Sequence, residues 1–152
     1  MAYTDDEARE DLLDELADAT NDLSRALAAL GEAFEQLDDD SAERLENELF
    51  RPVQMAYGRA QRTYSGFAAR HGLPGREFEP AMPGLASTGV KGFVEDAGAA
   101  VEAADARLAD LQDSLKPVEV GDVELRAGLS EVRTLVGDVP ARASTFVSGF
   151  GR

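Results

Sequence analysis

The chain has no cysteine, no tryptophan, one histidine (His71) and two lysines (Lys91 and Lys116) against thirteen arginines. Without cysteine there are no disulfides, no thiolate metal sites and no cysteine nucleophile. No run approaches the roughly eighteen apolar residues that a membrane-spanning helix needs. The opening MAYTDDEARE lacks the basic start and apolar stretch of a secretion signal. These absences lead us to expect a cytoplasmic protein that does not enter a membrane. Positive charge is also scarce: 15 Lys and Arg face 30 Asp and Glu, a net charge of −15. A field of that sign repels phosphate backbones and anionic lipid surfaces, so neither nucleic acid nor membrane is expected as a partner.

At 152 residues the chain is expected to form one helical-bundle domain over residues 1–152, large enough to bury its own core without a metal or disulfide. Apolar residues recur at alternating spacings of three and four. In the first segment they are Leu13, Leu16, Thr20, Leu23, Leu27, Leu30, Phe34 and Leu37. The third runs Val90, Val94, Ala97, Val101, Ala104, Leu108, Leu111 and Leu115; the fourth runs Leu125, Leu129, Val132, Val136, Val139, Ala143, Phe146 and Phe150. The second (Leu45, Leu49, Val53, Tyr57, Ala60, Tyr64, Phe67 and His71) carries an extra residue near Pro52, which predicts a kink or break there. Thr4 is the expected cap of the first helix and Ser41 of the second. Gly137 and Pro140 are expected to split the last helix near Val139. Four long heptad-patterned helices with short first and last connections and a long loop between helices 2 and 3 predict an all-α, up-down-up-down antiparallel four-helix bundle of coiled-coil character. The alternative is a pair of helical hairpins completed by dimerisation; a monomer or weak homodimer is expected.

Within this acidic chain FRPVQMAYGRAQRTYSGFAARHGLPG, residues 50–75, has no acid at all, and Arg76 follows it. In a hairpin the end of helix 2 lies beside the acid-rich start of helix 1. Arg59, Arg62, Arg70 and Arg76 are therefore expected to answer Asp14, Asp18 and their neighbours, and bases late in helices 2 and 4 (Arg142, Arg152) to answer the helix dipoles. Tyr57 and Tyr64 stand on the seam where leucine packs more simply, and each buried hydroxyl needs a partner, for which Gln54 and Gln61 are candidates.

The loop end of helices 2 and 3 is the most site-like region. STGVKG, residues 87–92, presents free backbone N–H groups at a helix start, with cationic side chains expected nearby. The candidate anion or ligand-binding set is His71, Arg70, Arg76, Lys91, Tyr57 and Tyr64. Leu73, Phe78, Met82 and Leu85 are expected either to form a lid over it or to plug the open end of the core.

Motifs for chemistry fail on inspection. GLASTGVKG has an extra residue before its lysine, no following Ser or Thr, and no strand before it, so it is not a phosphate loop. A ferritin-like di-iron site needs Glu-x-x-His on two helices, and a single histidine cannot provide two. Glu7-x-x-Glu10 and Glu35-x-x-Asp38 lie about 40 Å apart on one helix and cannot share a magnesium ion. No catalytic residues, metal or cofactor are expected, and the chain is not expected to be an enzyme. The expected function is a non-catalytic helical bundle acting through protein–protein interaction as an adaptor, assembly factor or structural subunit. The alternative is a binding module for a small anionic or amphipathic ligand at the helix 2–3 loop end.

Overall fold

Thr4 starts the first helix: its hydroxyl accepts from the Glu7 N–H at 3.0 Å, and Asp5, Asp6 and Glu7 place negative charge on the first turn. In the computed structural model, which describes residues 4–85 and 88–150 (for Phe150 the backbone alone), the chain is all-helical, with no strand among the described residues. Helix α1 spans Asp5–Glu35, α2 Asp39–Leu45 and α3 Arg51–Arg70. After a long connection come α4 (Gly89–Asp113), the short α5 (Lys116–Glu119), α6 (Val123–Val136) and α7 (Val139–Phe150). No helix among the described residues is long and apolar enough to cross a membrane.

Two local expectations are corrected. Ser41 is not the cap of α2. Asp38 is, its carboxylate accepting from the Ser41 N–H at 2.8 Å, because the chain turns one residue after Leu37 and re-enters the helix at once. Pro52 does not break the second column. A π-helical turn, Glu46–Phe50, joins α2 to α3 without interruption and absorbs the extra residue in the spacing. Pro52 has no N–H to offer the Glu48 carbonyl one turn earlier, and Arg142 on α7 donates to that carbonyl instead, at 3.3 Å. The expected split in the last column falls at Gly137 and Asp138, between α6 and α7.

The order of helix directions also differs from expectation. Arg107 meets Asp18 and Asp22, Lys116 approaches Glu15, and Arg9 reaches the Val120 carbonyl. Partner numbers on α1 fall as numbers rise on α4 and α5, so α4 runs antiparallel to α1. Helix α3 is also antiparallel to α1, with Phe50 near Gly31 at one end and Tyr64 near Leu13 at the other. Helices α3 and α4 therefore point the same way. Residues 71–85 return along α1, passing Asp14 at Arg76, Ser24 at Ala81 and Ala29 at Gly84. Pairs 59 with 131, 70 with 122 and 105 with 133 set α6 antiparallel to both α3 and α4. The sequence is thus up-down-down-up, in place of up-down-up-down, and every pair of packed neighbours is antiparallel. This order lets each helix dipole face an opposed one.

Most apolar side chains named from the spacing are buried, but α1 buries a wider face than a single seam. Ala8, Leu12, Ala17, Ala19, Ala26 and Ala33 are buried too, Leu27 is only half-buried, and Phe34 is 40% exposed. The reason is position: α1 packs on both α3 and α4, and the returning connection lies along it. Leu115 and Tyr57 also depart from the pattern, the first exposed and the second half-buried. The side chain of Phe150 lies outside the described residues.

Candidate functional site

The end of the fold where α3 stops and α6 starts is organised by one carboxylate. Asp122 caps α6 by accepting from the Leu125 N–H at 2.8 Å. Arg70 donates to both of its oxygens, Nε at 2.8 Å and NH2 at 2.9 Å, and also reaches Glu124. His71 Nε2 lies 3.1 Å from Oδ2, and because an ionised carboxylate only accepts, that nitrogen carries the proton and donates. The imidazole meets the Phe67 ring at a tilt of 52°, with centroids 4.4 Å apart. The Arg70 guanidinium, with the Leu125 N–H and His71, holds the Asp122 carboxyl well below the usual carboxylate range despite partial burial, and Asp122 in turn raises Arg70. Two of the six candidate residues are thus committed to joining α3 to α6.

Tyr64 and Arg76 form a second group. The Tyr64 ring meets Phe78 edge-on, with centroids 5.4 Å apart, and the Arg76 guanidinium lies 5.4 Å above the Phe78 ring. Burial pushes the Tyr64 phenol above its ordinary range while the adjacent Arg76 pulls it down. Together they wall an open cavity of about 300 Å³ whose other wall is α1. Tyr57 does not line it.

Lys91 stands apart from both, 4.0 Å from Glu95 on its own helix. Phe93, two residues on, lies by Ala29, whereas Arg76 lies by Asp14. Fifteen residues of α1 separate those levels, about 22 Å at helical rise. The structure therefore does not bring His71, Arg76 and Lys91 into one anion site. Ser87, from the expected anion-binding STGVKG start, lies outside the described residues, as does Arg152. Nor does the connection cap an end of the core: Leu73 and Phe78 pack against the core, while Met82 and Leu85 stand 88% and 78% exposed.

The arginines of the basic stretch are answered from a direction other than the expected one. Arg59 pairs with Glu131 at 2.6 Å and Arg70 with Asp122 and Glu124, all on α6 or its cap. The acids of α1 are met by Arg107 and Lys116. Sequence reasoning missed the two residues around which these contacts gather. Asp122 carried a legible signal, a capping residue after glycine with an acid two positions later. Asp22 did not: it is 1% exposed inside α1, where Arg25 pairs with it from the next turn and Arg107 Nε from α4 at 2.8 Å. Among the described residues no group of His, Asp and Glu is arranged to hold a metal ion. Comparison with family models, curated proteins and solved structures finds no match for the chain.

Proposed function

We propose that this chain is a cytoplasmic, non-catalytic four-helix bundle that acts by contact with another protein. Its four columns are α1, α2 with the π turn and α3, α4, and α6 with α7. The observation that carries this reading is the turn between α4 and α6. Leu115, Val118 and Val123 are 56%, 66% and 72% exposed there, and Leu115 holds a left-handed backbone at φ 69°. That conformation costs a leucine about 1–2 kcal/mol, so the surrounding structure must impose it. It does: Arg9 donates to the Val120 carbonyl at 3.0 Å, Arg126 to the Pro117 carbonyl at 3.0 Å, and a Cβ at Gly121 would strike the Pro117 carbonyl carbon at 2.9 Å. A braced turn that displays three aliphatic side chains to water is suited to a partner's surface. A second copy would bring another net charge of −15, so the chain alone is a monomer or weak homodimer, and a partner of opposite charge is favoured.

The test is purification from native cells of the wild type and of Val118→Asp/Val123→Asp. The reading expects one protein retained in stoichiometric amount by the wild type and lost from the variant, with thermal midpoints unchanged. Equal retention by both, or retention of no protein, overturns it.

A further inference from the structure

Helix α1 places Glu10, Leu13 and Asp14 on one face, at spacings of three and four, toward the cavity closed by Tyr64 and by Leu73, Pro74, Gly75 and Arg76. The neighbouring acids of α1 are spoken for: Glu15 faces Lys116, Asp18 faces Arg107, and Asp22 pairs with Arg25 and Arg107. Glu10 and Asp14 have no ion-pair partner among the described residues. Below and beside them the surface is apolar, formed by the buried Leu13, the half-buried Leu73, the ring of Pro74 and the Tyr64 ring. Arg76 does not neutralise them. Its guanidinium lies over the Phe78 ring, and two carboxylates against one guanidinium leave the cavity negative. A Cβ at Gly75 would meet nothing within 4 Å, so the crossing wall is open to an approaching chain.

We propose that this cavity receives an arginine side chain from a basic, extended segment of the partner protein; the inference rests on the protein-binding reading above. The chemistry fits each part of the residue. A methylene stem lies along Leu13, Leu73 and Pro74, and a flat guanidinium spans two carboxylates whose Cβ atoms are about 5–6 Å apart, one turn from each other. Lysine offers a point charge that cannot bridge both in plane. The excess negative charge of the whole chain speeds the encounter.

The probe is the peptide Ac-Ala-Arg-Ala-NH2, titrated against the folded chain while backbone amide shifts are followed at low and moderate salt. Its neutral isostere carries citrulline in place of arginine. Saturable shifts confined to the 10–14 and 73–76 levels are expected with arginine and none with citrulline. Glu10→Gln/Asp14→Asn should weaken binding about five- to tenfold, consistent with the loss of two partly exposed ion pairs. Glu43→Gln/Glu102→Gln removes the same charge from exposed sites elsewhere and should change it less than twofold. Equal weakening by both pairs, shifts spread over the whole acidic surface, or equal binding of citrulline overturns the proposal. The two readings fail separately: a partner lost on Val118→Asp/Val123→Asp but kept by Glu10→Gln/Asp14→Asn leaves the partner-binding reading standing and removes the arginine site.

Discussion

Replacing Asp122 by alanine removes three contacts at once, and the structure allows their sizes to be added. The first is the cap of α6, the 2.8 Å bond from the Leu125 N–H, worth about 1 kcal/mol. The second is the two-pronged pair with Arg70, whose partners are 35% and 27% exposed; solvent screening at that exposure limits it to at most about 1 kcal/mol. The His71 bond is an interaction of the same partly exposed kind and adds a fraction more. The expected loss is about 2 kcal/mol, seen as a fall of about 4–8 °C in thermal midpoint for a chain of this size. Asp122→Asn separates the parts, because asparagine caps a helix nearly as well as aspartate but carries no charge. It should lose about half as much.

The pH dependence of this difference has a fixed sign. Asp122 is held below its ordinary value of 3.8 in the folded chain, chiefly by Arg70. Such a group adds stability above the unfolded value, and the contribution is lost as pH falls below it toward the folded value. The gap between wild type and Asp122→Asn should therefore be full at neutral pH and shrink as pH drops below about 3.8. Thermal melts followed by circular dichroism across that range provide the readout. A midpoint for Asp122→Ala within 1 °C of wild type, or an Asn variant as damaged as the Ala variant, would refute the division into cap and ion pair.

The packing of α3 on α6 and the direction of α4 are each open to one sharp test. A Cβ added at Gly128 would overlap the Thr63 side chain and come within 3.0 Å of its Cβ, so Gly128→Ala should cost about 1–3 kcal/mol in urea denaturation, with part recovered in Thr63→Ala/Gly128→Ala. A neutral Gly128→Ala would show that the two helices do not approach there. Because the chain has no cysteine, introduced pairs report geometry without background. Cysteines at positions 18 and 107 should close with a short bismaleimide while a pair at 18 and 95 does not, and the reverse result would overturn the antiparallel setting of α1 and α4.

What could be read from the sequence was what depends on neighbours in the chain. Thr4 caps α1 through a bond to a residue three positions away, and the break near Val139 follows from Gly137 and Pro140. The extra residue near Pro52 was visible in the spacing. Its outcome was not, because a kink and a π turn both absorb one residue, and the choice is made by distant contacts such as that of Arg142 with the Glu48 carbonyl. The direction of α4 was hidden for a similar reason. A connection of residues 71–88 is long enough to cap an end or to run the length of α1, since an extended chain reaches about 3.3–3.6 Å per residue and the required climb is about 22 Å. Loop length sets an upper bound on reach and nothing more. Charge complementarity held the missing information, but the acids of α1 could be matched to the arginines of α3 or to Arg107 of α4, and proximity in sequence favoured the wrong pair.

That misjudged direction is also why the cavity at Tyr64 could not be foreseen. Had α4 started beside the end of α3, residues 73–76 would have turned over the tip of the helices, and Glu10, Leu13 and Asp14 would have faced water or α3 alone. Because the chain climbs along α1 instead, it lays Leu73, Pro74 and Arg76 beside one face of that helix and builds a wall that no helix supplies. The wall is held at two points, by the edge-on contact of Phe78 with Tyr64 and by the Ala81 N–H donating to the buried Ser24 hydroxyl at 2.9 Å. Ser24 and Tyr64 are two of the polar residues buried on α1 and α3, and the crossing gives both a reason to be there. The direction of α4, the polar residues in the core and the shape of the cavity are three consequences of one choice of path.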